Sequence, residues 1–262
     1  MEFERKTRYT VEDLCEIMRL LRSENGCPWD RVQTHESIRK NLIEETYEAV
    51  EAIDCKDSSM LKEELGDVLL QVVFHAQMED EEGRFTFGDV ANDICQKLII
   101  RHPHIFSDAK ADSVDQVLTN WNQIKQETKG QKTAAETLAA VPRQLPALMR
   151  SEKVQSRACK AGFDYPDVQS AFAELKSELD ELSEAMEEAD IAHIAEEIGD
   201  TLFAAVNVAR FYDMDPEELL TRSCDKFICR FTSVEEQAEA EQINLKKADE
   251  KTLNRLWNAA KK

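Results

Sequence analysis

Residues 44–67, EETYEAVEAIDCKDSSMLKEELGD, and residues 177–200, SELDELSEAMEEADIAHIAEEIGD, decide how this chain is read. In each stretch an apolar stripe at helical spacing stops at a short polar turn and then resumes, which predicts two antiparallel helices tightly joined. The first helix of each pair presents acids at i, i+3: Glu45 with Glu48, and Glu178 with Glu181. The second carries Glu64 with Asp67, and Glu197 with Asp200, each set within Glu-Glu-x-Gly-Asp. Spacing of three puts both acids of a pair on one helix face. The separation between the pairs is the same in both stretches, so the chain reads as a tandem duplication. In an antiparallel hairpin, residues whose numbers share one total lie at one level. Glu45 and Asp67 share a total with Glu48 and Glu64, and Glu178 and Asp200 share one with Glu181 and Glu197. Four carboxylates are therefore expected to converge in each copy.

Working outward, Val11, Leu14, Met18 and Leu21 mark a first helix that Gly26, Cys27 and Pro28 end. Stripes over 38–53 and 61–76 form the first hairpin, with a Ser of the 54–59 turn available as N-cap. A helix over 88–100 runs into Pro103, and another is expected over 112–128, carrying Trp121. Stripes over 172–186 and 194–211 form the second hairpin. A break at Met214-Asp215-Pro216 precedes a helix through Phe231, and residues 235–262 read as a charged tail helix with one aromatic, Trp257. The expected organisation is a helical repeat over 1–129, a connecting segment over 130–160 containing the basic run Lys153 to Lys160, and a second repeat over 161–262. With 7 glycines and 6 prolines in 262 residues, turn formers are too few for a sandwich, barrel or propeller. The fold class is all-α.

Charge narrows the partners. Against 33 Lys and Arg stand 53 Asp and Glu, a formal net charge of −20. Such a field repels polyanions and argues against a nucleic-acid partner, so a phosphate-bearing ligand must be met locally or through a cation. MEFERKTRYT lacks the apolar core of a signal peptide, and no apolar run approaches a membrane span. A cytoplasmic protein without a membrane partner is expected. Seven cysteines with no CxxC pair fit a reducing compartment better than a disulfide framework or a zinc ribbon.

Four carboxylates some 6 Å apart repel by about 3 kcal/mol per pair at an effective dielectric near 20. A hard divalent cation offsets that cost, and magnesium, with manganese as a substitute, suits oxygen ligands shared with substrate phosphates. A di-iron bundle would need Glu-x-x-His on facing helices, and the sequence contains none. His102 and His104 flank a proline and read as loop or cap residues. His193, with only Asp190 nearby in sequence, reads as a surface residue at a helix start. After each hairpin comes a basic pair at i, i+4, Lys97 with Arg101 and Lys226 with Arg230. Either the pairs bridge acids along the bundle or they clamp phosphate oxygens, and their repetition favours the clamp.

GCPWDRVQTHESIRKNLIEETYEAVEAI at 26–53, KEELGDVLLQVVFHAQM at 62–78, RHPHIF at 101–106, LPALMRSEKVQSRACKAGFDYP at 145–166 and AEEIGDTLFAAVNVARF at 195–211 resemble the two-repeat MazG nucleoside triphosphate pyrophosphohydrolases. The resemblance spans nearly the whole chain. It implies an all-α fold of the class of dimeric all-α dUTPases, magnesium dependence, and hydrolysis of nucleoside triphosphates to monophosphate and pyrophosphate by a metal-activated water. Carried onto this sequence, Glu178, Glu181, Glu197 and Asp200 would hold metal, with Glu178 and Glu181 catalytic and an outer glutamate taking the proton. Lys226 and Arg230 would meet the departing pyrophosphate. The first copy offers Glu44, Glu45, Glu48, Glu64, Asp67, Lys97, Arg101 and Lys125. Ser177 stands where the family's motif begins with Glu, and Tyr165 where Trp is frequent. In long members of the family the second copy is usually the competent one, while here the first is closer to the full motif. A homodimer is expected, because one hairpin gives a thin core for a four-carboxylate site. Trp257 either docks the tail or stacks on a nucleobase, the latter suiting broad base specificity. The alternative from another class is a non-catalytic helical adaptor with an acidic interaction face.

Overall fold

The computed structural model describes residues 3–107 and 133–261, together with Ser113, Gln116, Val117, Trp121 and Ile124 between them. All regular elements among the described residues are helical. The helix expected over 112–128 falls mostly outside them, and so does Lys125. The chain divides into two compact units, Met1–Thr128 and Lys129–Lys262.

In the first unit, α1 (Val11–Arg22) starts at a capping box: the Thr10 side chain accepts from the Asp13 N–H, and Asp13 accepts from the Thr10 N–H at 2.8 Å. The chain then turns sharply at Gly26, where an added Cβ would lie 2.2 Å from the Leu21 carbonyl oxygen, so only glycine fits. Pro28 opens the short α2 (Pro28–Arg31). Helices α3 (Arg39–Asp54) and α4 (Ser58–Glu81) form the expected hairpin. Its cap is Asp57 and not a serine: the carboxylate accepts from the Ser59 and Met60 N–H groups at 2.9 and 3.1 Å. A carboxylate one residue ahead of Ser58 reaches those donors and adds its charge to the dipole. α1 packs on the hairpin through Met18, Ile38, Val73, Phe74 and Met78. Arg22 ties the pieces together, with Nε and Nη2 each 2.8 Å from Glu81 and Nη1 on the Gln33 carbonyl at 3.2 Å. α5 (Phe87–Arg101) and α6 (Pro103–Phe106) follow, joined by His102, whose Nδ1 lies 2.7 Å from the Leu98 carbonyl oxygen.

The second unit begins with α7 (Ala134–Ala139) and α8 (Ala147–Lys160). Glu217 closes the start of α8, accepting from the Leu148 and Met149 N–H groups at 3.1 and 3.3 Å. α8, which the sequence reading places in a connection, packs against α10 and α11 of this unit. α9 (Val168–Glu188) and α10 (Ile191–Phe211) form the second hairpin, turning at Ala189 in the left-handed region (φ 57°), with Asp190 as cap. The first hairpin turns in the same way, with Lys56 at φ 56° ahead of Asp57.

α11 (Pro216–Ala240) runs a further two turns past Phe231, so the tail is not one helix from 235. After a 3₁₀ turn at Leu245–Lys247, α12 (Glu250–Ala259) folds back on α11 through Val234, Ala238 and Leu256. Asn244 and Asp249 each cap a new start, and these local caps compete with helix continuation. No helix among the described residues is long and apolar enough to cross a membrane.

Candidate active site

Each hairpin brings its acids together. In the first unit, carboxylate oxygens of Glu45, Glu48 and Glu64 lie within 4.8 Å of one another, and in the second those of Glu178, Glu197 and Asp200 do the same. The fourth acid of each set is close enough to act through its charge. Burial pushes the Glu45 carboxyl up, and Asp67 and Glu48 push it further. Burial also raises Glu64, with Glu48 and Asp67 adding to it. At Glu178 burial leads again, followed by the charges of Asp200, Glu181, Glu174 and Glu197. Carboxyls held this way give up their protons less readily than free ones, and a bound cation would offset that.

The two sites differ in detail. Glu197 is buried, at 6% exposure, whereas Asp200 and Glu181 face solvent. Ser177, standing where the first copy has Glu44, hydrogen-bonds to a Glu181 oxygen at 3.2 Å. His193 is not the isolated surface residue expected: its Nε2 lies 3.1 Å from Glu197 and its Nδ1 3.5 Å from Glu188. The signal was present, since His193 and Glu197 stand at i, i+4 on one helix and so are neighbours on its surface. Burial pushes the Tyr165 phenol up, and the neighbouring Glu174 carboxylate adds to it.

Lys226 and Arg230 lie on α11, and Lys97 and Arg101 on α5, each pair on one face of its helix. Lys97, Lys226 and Arg230 make no ion pair among the described residues, so these charges are available to a ligand. The Arg101 guanidinium lies over the Trp121 ring, 5.1 Å from its centroid. Trp257 is half-buried, packed on the α11–α12 cluster with its ring 5.2 Å from that of Phe227.

Comparisons with known proteins cover both hairpins. The profile described as MazG nucleotide pyrophosphohydrolase domain matches residues 33–106 and 167–234, one hairpin and its following helix in each unit. The nucleoside triphosphate pyrophosphohydrolase/pyrophosphatase MazG of Thermotoga maritima is 44% identical over 250 residues, covering 95% of both chains. The nucleoside triphosphate pyrophosphohydrolase of Escherichia coli K12 is 42% identical over 255 residues, 96% of this chain and 97% of that one. YabN of Bacillus subtilis, an uncharacterized protein, is 47% identical over 94% of this chain and half of its own length. With the matched segments centred on the two carboxylate hairpins, and the identity running nearly end to end, this chain belongs to the MazG nucleotide pyrophosphohydrolase family.

Proposed function

We propose that this chain hydrolyses nucleoside triphosphates, ribo and deoxyribo alike, to the monophosphate and pyrophosphate. The observation that carries the reading is the convergence of Glu178, Glu197 and Asp200 within 4.8 Å beside the charge of Glu181. An all-oxygen, carboxylate donor set fits a hard divalent cation, here magnesium with manganese as a substitute. Glu178, Glu181, Glu197 and Asp200 would hold it in the second unit, and Glu45, Glu48, Glu64 and Asp67 in the first. When bound, the cation neutralises phosphate charge and makes water more acidic. Among the chain's own groups, Lys226 and Arg230 bind phosphate oxygens and stabilise the departing pyrophosphate. Glu181, exposed and oriented by Ser177, accepts the proton of the water that attacks the α-phosphorus as the bond to the β-phosphate oxygen breaks. Trp257 contacts the apolar part of the nucleotide. In the first unit Lys97 and Arg101 take the phosphate-binding part, with Lys125, which lies outside the described residues.

The same reading makes the protein a homodimer, because Leu179, Met186, Ile198 and Leu202 of the second hairpin are about half exposed or more, an apolar face that a second copy would cover. It also places the chain in the cytoplasm, where its seven unpaired cysteines stay reduced.

Pyrophosphate release from ATP under single-turnover conditions tests the activity. Glu181→Ala is expected to slow it at least a hundredfold and Glu48→Ala to change it less than threefold, with chelation of divalent cations abolishing it in the parent. A chain that releases no pyrophosphate, and whose melting temperature responds to neither magnesium nor nucleotide, would instead be the adaptor with an acidic face.

A further inference from the structure

The end of the first hairpin away from the Asp57 turn carries two histidines that the activity does not use. His35 stands in the turn ahead of α3 and His75 on α4, and their Nδ1 atoms lie 2.7 Å apart. The ring planes differ by 4°, with the centroids 5.0 Å apart. Rings stacked face to face could not bring atoms so close, so the two meet edge to edge, almost in one plane, along a hydrogen bond.

Which ring donates follows from the other end of the chain of contacts. Arg84 binds Glu79 through Nε on Oε2 and through Nη2, 3.1 Å from Oε1, and holds its carboxyl below the ordinary range. An ionised carboxylate only accepts, so His35 Nε2, 2.6 Å from Glu79 Oε1, is the donor. A neutral His35 then has a bare Nδ1, to which His75 Nδ1 donates, and this leaves His75 Nε2 bare in turn. That last atom is buried with no partner among the described residues.

A further proton undoes this arrangement. If the rings stay together, His75 must carry a proton on its buried Nε2, and an unpaired buried group costs more when it belongs to a cation. If both Nδ1 atoms are protonated, two N–H groups point at each other and the contact breaks. Burial already pushes the His75 imidazole below 6.5, and the charge of His35 adds to it. The charged groups around the pair are Glu79 and Arg84, with Glu82 3.8 Å from Arg84, and Glu36, which senses both His35 and Arg39. Leu42 of α3, Ala76 of α4 and Val90 of α5 line the same cavity of about 460 Å³ and bring no charge.

We infer that the contact of His35 with His75 is a proton-sensitive latch: neutral, it ties the turn over 34–38 to α4 and fixes where α3 starts, and protonated, it releases that turn. Apart from the latch the turn is held by its own short bonds, Thr34 N–H to Ser37 Oγ at 2.8 Å and Ile38 N–H to the Thr34 carbonyl at 3.3 Å. At the corresponding positions the second unit has Val168, Val208 and Tyr212, none of which changes charge near neutral pH, so the device belongs to the first unit. It is independent of the activity proposed above. Opening takes up a proton, so the closed form is fully favoured above 6.5 and loses ground as pH falls.

Two measurements on the full chain test it. Nitrogen NMR of the imidazoles at about pH 7.5, assigned by the signals lost in His35→Gln and His75→Gln, is expected to show His75 protonated on Nδ1 and His35 on Nε2. A His75 protonated on Nε2 would overturn the latch. Amide hydrogen exchange, corrected for the intrinsic rate at each pH, reads the release. Between about pH 6.5 and 5.5 the protection of Ile38 and Leu42 should fall roughly tenfold in the parent, for one proton taken up on opening. In His75→Gln, whose amide does not titrate, it should change less than about twofold, whatever its starting level. An equal fall in parent and variant would overturn the inference, and if the variant does not fold, the tautomers of the parent decide it.

Discussion

Glu178 answers to two neighbourhoods at once: four further acids around it and the cavity it lines. Burial and those charges raise its carboxyl above the ordinary 4.5, so the folded state keeps a proton that the unfolded chain has released. Stability linked to this group is complete below 4.5 and is lost as pH rises through the raised value. Glu178→Gln has no proton to lose. Thermal melts without divalent cations should therefore show the variant gaining on the parent as pH climbs from 4 to 7. Saturating magnesium should reverse the order at pH 7 by stabilising only the parent strongly. A constant difference across that range would show that Glu178 does not share its charge with the cluster. The Glu197 and His193 pair belongs to the same scale and was legible through its i, i+4 spacing. Charge-pair arithmetic along one helix finds it, while a search for metal-ligand motifs passes over it.

The turns hold the elements in register. In both hairpins a non-glycine residue takes the left-handed conformation, Lys56 and Ala189, and the aspartate after it caps the next helix through two backbone N–H groups. Since the carboxylates stand opposite one another only for this loop length, the turn sets the level at which they meet. Asp190→Ala should cost about 1 kcal/mol, lowering the melting temperature by about 2–4 °C. Ala189→Gly should move it the other way by less, because relief of the left-handed strain is partly offset by the greater freedom of the unfolded chain. Circular dichroism melts of the two variants check both signs, and a cap variant that melts with the parent would show that water replaces the carboxylate at no cost.

For the whole molecule the informative quantity is how little apolar side chain the second hairpin buries. Its buried residues include Ala171, Ala185 and Ala204, while Ile198 and Leu202 are 47% and 53% exposed. Gly199 sits mid-helix among them with nothing within 4 Å of a Cβ built on it, although glycine there costs about 1 kcal/mol relative to alanine. A close partner helix would account for both observations. Light scattering is expected to give twice the 30.0 kDa of the chain, and Leu202→Glu to return the monomer mass. Gly199→Ala separates the cases further: it should stabilise a free monomer by helix propensity and weaken a dimer that packs against the glycine.

Local rules carried the helices, the duplication and the levels of the acids, because a period of 3.6, an i, i+3 spacing and a short capped turn each involve residues close in the chain. The break in the tail was less visible: Asn244 and Asp249 act as caps only because α12 finds apolar partners in Val234 and Ala238. Tertiary structure alone decided the space along each hairpin. Whether that space is open depends on the summed volumes of side chains from separate helices, on Ile38 and Phe74 packing with Met18 in one unit and on Ala171 and Ala204 facing Gln155 and Val154 in the other. Close packing is a property of the assembled set and of no single stretch, so at matching positions of two hairpins with nearly the same acid motif the space differs, about 120 Å³ beside Ile38 and Phe74 and about 560 Å³ beside Ala171 and Asn207.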